Sequence, residues 1–480
     1  MVVKLQQLVL NAWRSATLMT WASLTVRIGG LAMLLPIVVS HMATAEVLVW
    51  QLLSTITMLI NLTDFGFSPT FARIIAFARG GGSVAELSAA GLMAGGQVQK
   101  GGPPLEIPAV LQAQKIVYRV VIIGAMAIAL IGGAAALSQP ISRLAAPAEG
   151  WIAGLLSAVA GLFIIANGAN VSILTGFDRI ATARRLDAVL GALQLGSTCI
   201  VAVLHGGLVA IVGCYSAWTI LLYVANAYNV RRLEIEPFTK GAHADAELLA
   251  AVWRSAWRSG VGILMSTGII QASGLAYAQI AAPADAAAFL LLLRGITAVS
   301  QVAQAPFYSK LPAMAALRGR GEIAELTKVA MRGMRFATWI FVAGALTLVA
   351  AAPPLLAMIH SSVHLPAYEI SAVLVLAFFV ERYSAMHIQI YSLTHHIVWH
   401  VMNGVTGVLM IVYALIFYPL MGRIALPLAM LLGYLTFFAW RGSSLSLRSL
   451  GCDRMEFDRQ TTLWPALVLV VALAGLYLVL

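Results

Sequence analysis

Charged side chains are scarce in this sequence: they make up 10% of its 480 residues, against 61% hydrophobic ones. A soluble globular domain carries roughly a quarter charged residues, so this composition excludes a soluble fold. The only three cysteines are Cys199, Cys214 and Cys452, and their wide spacing indicates neither a disulfide framework nor a metal motif. The sequence also lacks nucleotide-phosphate loops and Asp-rich metal motifs, which disfavours ATP-driven transport by this chain alone.

Apolar runs long enough to cross a hydrocarbon core of about 30 Å recur along the whole chain. They predict an all-α polytopic membrane protein with a dozen spans and no soluble domain between them. A further apolar run over residues 463–480 is either a thirteenth span or a helix on the membrane surface. The predicted spans cover residues 17–39, 46–66, 116–138, 151–175, 186–204, 207–230, 260–281, 286–311, 334–358, 368–394, 397–418 and 423–441.

The basic residues are distributed unevenly between the two sides of the membrane. If the N-terminus lies in the cytoplasm, nearly all of the 30 Lys and Arg fall on cytoplasmic segments or at the cytoplasmic ends of spans. The exceptions are Arg143 and Arg423 on outer segments and Arg27, Arg294 and Arg382 deeper within spans. This asymmetry follows the positive-inside rule and predicts a cytoplasmic N-terminus. The net charge of +11 is therefore a topology signal, with anionic lipids as expected contacts and no nucleic acid partner.

One internal repeat has an informative position. The tetrapeptide Trp-Arg-Ser-Ala occurs at residues 13–16 and again at 253–256, each time just before the first span of a six-span half. Halves with an even number of spans are related by an axis along the membrane normal, as in two-lobed transporters. The predicted domains are a six-helix lobe at 1–230, a cytoplasmic linker with an amphipathic helix at 231–259, a six-helix lobe at 260–441, and a cytoplasmic segment with the C-terminal apolar helix at 442–480.

Charged side chains inside spans cost on the order of 2.5–3.5 kcal/mol at a helix centre and mark candidate functional sites. Arg27 lies midway along the first span, and Arg294 lies about 13 Å inside the eighth at the helical rise of 1.5 Å per residue. Together with Arg382 they could bind a large anionic group, because guanidinium matches phosphate in a bidentate fork. Alternatively, each arginine only holds helices together by pairing with backbone carbonyls or acids. The candidate acids are Glu381, Asp64 and Glu369.

The second span ends in the sequence Asp-Phe-Gly-Phe-Ser-Pro at residues 64–69. Gly66 and Pro69 disrupt helical hydrogen bonding, and Asp64 is expected near the cytoplasmic mouth, about 27 Å along the helix from Glu46. Its carboxylate could gate the pathway or carry a proton, or it could cap a helix. The candidates for coupling or gating are Asp64, Glu381 and Glu369.

Two further polar groups have competing interpretations. Asn167 and Asn170 form a polar stripe on the fourth span, where they could contact sugar hydroxyls or hydrogen-bond between helices. His395, His396 and His400 suggest a metal by number, but no carboxylate accompanies them at their helix end. We therefore expect no metal site in this chain.

The stretch 64–78, Asp-Phe-Gly-Phe-Ser-Pro-Thr-Phe-Ala-Arg-Ile-Ile-Ala-Phe-Ala, resembles the second-span signature of polysaccharide flippases. These Wzx-type O-antigen flippases belong to the multidrug/oligosaccharidyl-lipid/polysaccharide exporter superfamily. The long glycine-containing segment that follows, with Tyr118-Arg119 starting the third span, is similar too. The motif residues are Phe65, Gly66, Phe67, Ser68, Pro69 and Arg73.

The resemblance implies a flippase and not an enzyme. The implied substrate is an oligosaccharide on undecaprenyl diphosphate, moved across the bacterial inner membrane from the cytoplasmic to the outer leaflet by alternating access. It also implies a cationic cavity, for which Arg27, Arg294 and Arg382 are of the right type. No cofactor is expected, although a proton or sodium gradient could drive transport, and a polysaccharide polymerase or other assembly-pathway membrane proteins are expected partners.

Other functions stay open at this point. A lipid II flippase and a cation-coupled multidrug exporter of the same superfamily share the predicted architecture. A membrane-embedded glycosyltransferase or acyltransferase would need a carboxylate pair, or a histidine with a carboxylate, at one membrane face. The acids found near a membrane face lie on charged cytoplasmic connections, where a solvated role is the default.

Overall fold

A computed structural model describes residues 36–81, 105–233, 246–308, 310–394 and 398–479, together with residues 19, 26 and 34. Helices make up most of these ranges, and no strand occurs within them. In this part of the chain, ten helical runs are long and apolar enough to cross a membrane. The protein is therefore an all-α polytopic membrane protein, in which each span satisfies its backbone hydrogen bonds within itself.

The chain divides into two compact units, Met1–Gly260 and Val261–Leu480. The helices described before the division are α1 (Thr44–Leu62), α2 (Phe67–Arg79), α3 (Ile107–Ala127), α4 (Gly133–Ser142), α5 (Pro147–Gly176), α6 (Ile180–Val203) and α7 (Gly207–Arg231). The division falls within α8 (Ala246–Ile263). A π-helical turn, Ile128–Gly132, joins α3 to α4.

Shorter and more interrupted helices follow in the second unit. They are α9 (Ile269–Ile280), α10 (Pro283–Ala303), α11 (Ala305–Tyr308), α12 (Leu311–Gly319), α13 (Ile323–Met358), α14 (Tyr368–Ser392), α15 (Trp399–Met421), α16 (Ala425–Gly433), α17 (Trp440–Leu450), α18 (Arg454–Thr461) and α19 (Leu463–Val479). Two π-helical turns, Leu264–Gly268 and Tyr434–Ala439, join α8 to α9 and α16 to α17. The 3-10 turn Gly422–Ile424 joins α15 to α16.

The helix of the second predicted span breaks at the motif and then resumes. Phe65 and Gly66 have φ angles of 47° and 74°, a left-handed conformation that ends α1. Pro69 lies in the first turn of α2, where its missing N–H removes no helical hydrogen bond. The break predicted at Gly66 is confirmed, but Pro69 does not contribute to it, and the span continues beyond the predicted end at residue 66 as α2, as far as Arg79.

Other helices also differ from the predicted spans at their ends. The spans predicted to begin at residues 116 and 334 belong to helices that begin at Ile107 and Ile323. A helix needs no lipid around it to form its hydrogen bonds, so it can extend beyond the apolar stretch that the sequence reveals. Most of the first predicted span, 17–39, lies outside the described residues.

In the first unit, α5 packs closely against both halves of the broken helix. A Cβ on Gly161 would lie 3.0 Å from Ile60 of α1, and one on Gly176 would lie 2.6 Å from Ile75 of α2. Small residues allow such close approach of membrane helices. Arg79 adds a polar contact by donating from Nη1 to the Gly176 carbonyl over 3.0 Å. Helix α5 therefore fixes the positions of α1 and α2 relative to each other on the two sides of the break.

In the second unit, the C-terminal segment packs onto α13 and α14. Phe457 of α18 is fully buried in a hydrophobic core with Phe307, Met334 and Met386. Helices α18 and α19 meet at an angle of 56°. The C-terminal apolar run thus forms α19, which packs against helices of its own unit.

Two hydrogen bonds connect the C-terminal segment to the longer helices. Thr338 of α13 donates from Oγ1 to the Thr461 carbonyl over 2.9 Å. The Tyr368 hydroxyl of α14 donates to the carbonyl of Leu473 in α19. Both carbonyls belong to backbone that is buried among apolar side chains, where an unpaired acceptor is costly. These bonds therefore favour the docked position of the C-terminal helices.

Candidate functional site

The first unit contains a half-buried carboxylate, Asp64, at the helix break. Asp64 Oδ1 accepts a hydrogen bond from the Tyr118 hydroxyl over 2.7 Å, and Oδ2 accepts one from the Ser68 backbone N–H over 3.1 Å. The Ser68 hydroxyl donates to the Gly168 carbonyl over 3.1 Å. We call Asp64, Ser68, Tyr118 and Gly168 the Asp64 cluster. It connects the break to α3 and α5.

The local sequence explains the position of the Asp64 cluster. The first N–H groups of a helix have no partner within it, and the Asp64 carboxylate satisfies that of Ser68. Gly168 leaves room on α5, because a Cβ there would lie 3.4 Å from the Tyr118 hydroxyl and 3.6 Å from Asp64 Oδ1. The described residues thus support the helix-capping interpretation of Asp64. A carboxylate in such surroundings can also exchange a proton, so the coupling prediction stays a prediction.

The polar stripe on α5 forms hydrogen bonds between helices. Asn167 Oδ1 accepts from Asn226 Nδ2 of α7 over 3.0 Å. Gln114 of α3 donates from Nε2 to Ser172 Oγ over 2.6 Å. Asn170 differs, since its Nδ2 is buried without a partner among the described residues. Interhelical bonding therefore accounts for Asn167, while Asn170 keeps a donor available for a ligand or water.

The second unit contains a buried ion pair on α14. Arg382 Nη2 lies 2.9 Å from Glu381 Oε2, with the side chains only 7% and 18% exposed. Arg382 Nη1 donates to Gln304 Oε1 over 2.5 Å, which joins α14 to the end of α10. The pair does not interrupt the helix, which runs unbroken from Tyr368 to Ser392. This geometry supports the structural alternative for Arg382, whose charge is compensated by its neighbour.

Three further predicted site residues, Arg294, Glu369 and Arg73, lie outside the Asp64 cluster and the Glu381–Arg382 pair. Arg294 is half-buried on α10, eleven residues beyond Pro283 and thus about 16 Å along the helix. Glu369 is exposed in the first turn of α14, where its charge complements the helix dipole. Arg73 is exposed on α2, and Arg27 lies outside the described residues.

Sequence reasoning missed two partners in these clusters. Tyr118 was predicted only as the start of the third span, and it provides the hydroxyl on Asp64. Gln304 was not singled out, although it holds Arg382. A polar side chain near the end of an apolar span was the one signal available for both. The pairing itself could not be predicted, because Asp64 and Tyr118 are 54 positions apart in the sequence and Gln304 and Arg382 are 78 apart.

Comparison with known proteins identifies the fold. No protein-family model matches this chain, and no curated protein matches it. Solved structures do match, and they are helical transporters of the MOP superfamily, the multidrug/oligosaccharidyl-lipid/polysaccharide exporters. At identities of 10–14% the likeness establishes a shared fold.

Three structures illustrate the match. The chain is similar to the lipid II flippase MurJ in an inward closed conformation, with 10% identity, a TM-score of 0.66, and coverage of 95% of this chain and 92% of MurJ. It is similar to an inward-facing multidrug resistance MATE family transporter, with 14% identity, a TM-score of 0.62, and coverage of 90% of this chain and 98% of that transporter. A eukaryotic MATE transporter, AtDTX14, matches with 12% identity, a TM-score of 0.50, and coverage of 93% and 98%.

Proposed function

We propose that this protein is a flippase that moves an oligosaccharide, carried on undecaprenyl diphosphate, from the cytoplasmic to the outer leaflet of a bacterial inner membrane. The observation that carries the proposal is the fold shared with the lipid II flippase MurJ over 95% of this chain. The motif at residues 64–78, which resembles that of polysaccharide flippases, favours an oligosaccharide carrier lipid over lipid II itself.

The arginines inside spans support an anionic substrate. A diphosphate needs cationic groups where water is scarce, and guanidinium groups bind phosphate in a bidentate fork. Arg27 and Arg294 lie deep within predicted spans of opposite halves, so we propose them as the candidates for the diphosphate. The charge of Arg382 is compensated by Glu381. Arg294 is only half-buried, which leaves part of its surface open to a ligand. Asn170, with its buried unpaired donor, is the candidate for a sugar hydroxyl.

The helix break supports a role in alternating access. A span made of two helices joined by a left-handed turn can change its angle with small changes of two dihedrals. The Asp64 cluster controls this turn, because the carboxylate caps α2 and is held from α3 by Tyr118. Protonation of Asp64 would weaken the cap, so a proton gradient is the coupling we favour over sodium. Glu381 and Glu369 are weaker candidates for coupling.

A cation-coupled multidrug exporter is the second candidate, favoured by the likeness to the inward-facing MATE transporter. The two functions predict opposite phenotypes in the native host. Deletion of a flippase should trap intact repeat units on undecaprenyl diphosphate in the cytoplasmic leaflet and stop surface polysaccharide. Deletion of a drug exporter should leave polysaccharide unchanged and sensitise the cell to cationic drugs, and loss of an enzyme should leave truncated glycans.

The arginines are tested in the deletion strain by complementation. Arg27→Ala and Arg294→Ala should each strongly reduce polysaccharide export at normal protein abundance, with partial recovery in the Lys variants, which keep the charge but lose the fork. Arg332→Ala is the matched control, because Arg332 is exposed on α13 and lies outside the motif and the candidate sites. Normal export by both Ala variants would exclude these arginines as the substrate site. Normal export together with normal carrier lipids in the deletion strain would exclude the proposed function.

A further inference from the structure

Two histidine rings from distant parts of the chain are in contact at one surface of the first unit. The rings of His41 and His205 have centroids 5.2 Å apart and planes inclined by 47°. His41 lies just before α1, and His205 lies in the turn between α6 and α7. Both positions face the side of the membrane that the charge distribution predicts to be outside. The pair is far from the Asp64 cluster along α1 and takes no part in the proposed transport.

The hydrogen bonds of His41 determine which ring nitrogen is free. Nδ1 lies 2.9 Å from the Ile37 carbonyl and 2.8 Å from Ser40 Oγ. The Ser40 hydroxyl itself donates to the Ile37 carbonyl, over 3.0 Å. A carbonyl can only accept, so the contact with Ile37 favours the tautomer in which Nδ1 carries the proton, and in that tautomer Nε2 has the free lone pair. Metal-binding histidines are held in this way, with the other ring nitrogen donating to a backbone carbonyl.

His205 has a left-handed backbone conformation, which favours glycine or asparagine over histidine. Its φ angle is 55°, in the left-handed region after the end of α6, where glycine or asparagine is usual. Its side chain is exposed, and its ring forms no hydrogen bond with the part of the chain that the structure describes. Both ring nitrogens of His205 are therefore accessible to a ligand from the same solvent that reaches His41.

The separation of the rings suits a shared metal ion. A metal 2.0–2.1 Å from one nitrogen of each ring lies about 3.2 Å from each centroid, so a tetrahedral angle separates the centroids by about 5.2 Å. The measured separation is 5.2 Å. Each histidine also lies at the C-terminal end of helical backbone. His41 ends the helical residues 36–41, and His205 follows α6. The carbonyl groups at the C-terminal end of a helix favour a cation.

We propose that His41 and His205 form a two-histidine site for a divalent transition-metal ion such as Zn²⁺, Ni²⁺ or Cu²⁺, for which imidazole is a suitable ligand. Among the described residues, no group of three or more His, Cys, Asp and Glu side chains could hold a metal, so water completes the coordination. The ion joins the segment before α1 to the α6–α7 turn. This site lies within one unit and would restrict movement between these two segments.

The test uses Co²⁺ and Zn²⁺ with the full chain in lipid nanodiscs, purified without a polyhistidine tag. Co²⁺ should bind at one equivalent, with the visible absorption of a low-coordinate nitrogen site, and Zn²⁺ should displace it. His41→Ala and His205→Asn should each weaken Zn²⁺ binding in calorimetry by more than the roughly 10- to 100-fold caused by loss of an outer-shell partner. Asparagine tolerates the left-handed backbone, so the second variant removes the imidazole without straining the turn.

Two controls isolate this pair. His360→Asn should bind Zn²⁺ like the parent protein. His360 is also exposed after the end of α13 with a φ angle of 50°, but its ring contacts no other ring in the part of the chain that the structure describes. All proteins should carry Ala at His395, His396 and His400, which lie close together in the sequence and could chelate a metal ion themselves. Unchanged binding in the His41→Ala/His205→Asn double variant, or an equal loss in His360→Asn, would overturn the proposal.

Discussion

The Glu381–Arg382 pair offers a direct test of whether a charge inside a span serves structure or substrate. The two side chains are 18% and 7% exposed and 2.9 Å apart. Removing one partner of a buried pair leaves an uncompensated charge and costs about 3–5 kcal/mol. Arg382→Gln should lose this amount of unfolding free energy, and more than Glu381→Gln, because Arg382 also donates to Gln304.

The double variant separates the two contributions. Glu381→Gln/Arg382→Gln removes both charges, so neither is left buried alone, and it should be more stable than Arg382→Gln. The assay is thermal and denaturant unfolding of the purified protein in one detergent, together with its abundance in the membrane. The matched control is the exposed pair Arg320–Glu322, at 60% and 49% exposure, for which we expect about 0–1 kcal/mol.

One result would refute the structural interpretation of Arg382. If Arg382→Gln unfolded like the parent protein and accumulated normally, but no longer supported export, its charge would act on the substrate. A double variant less stable than both single variants would contradict the compensation argument. A loss at the exposed control pair equal to that at the buried pair would show that burial does not determine the effect.

Two further predictions concern the broken helix. Tyr118→Phe should cost about 1.5–3 kcal/mol of unfolding free energy, since it removes a hydrogen bond from a buried hydroxyl to the Asp64 carboxylate. It should also shift the pH dependence of transport if Asp64 exchanges a proton. An unchanged pH profile would leave Asp64 only its capping role. Gly176→Ala should cost about 1–3 kcal/mol, because its Cβ would lie 2.6 Å from Ile75. Gly196→Ala, whose Cβ would have no atom within 4 Å, should instead keep or raise the stability in the same unfolding assay, because alanine favours a helix interior over glycine.

Much of the fold could be predicted from local sequence. The composition and the spacing of apolar runs predicted an all-helical polytopic membrane protein, because lipid offers no hydrogen bonds and every span must satisfy its own backbone. The break at Gly66 was also predictable, because it depends on the backbone conformation of neighbouring residues and glycine readily adopts a left-handed one. The helix ends were less predictable: α2 and α13 extend beyond their apolar stretches.

The candidate site depended on contacts that the sequence does not contain. Buried polar groups in both units were predictable from their cost in lipid, but their partners were not. Asp64 meets Tyr118 and Arg382 meets Gln304 only after separate helices pack. The His41–His205 contact left no sequence signal, because it joins two turns that are 164 residues apart. The sequence thus determined which segments form helices, because helix formation depends on neighbours along the chain. Tertiary packing alone decided which polar groups meet, because those contacts depend on which helices lie side by side.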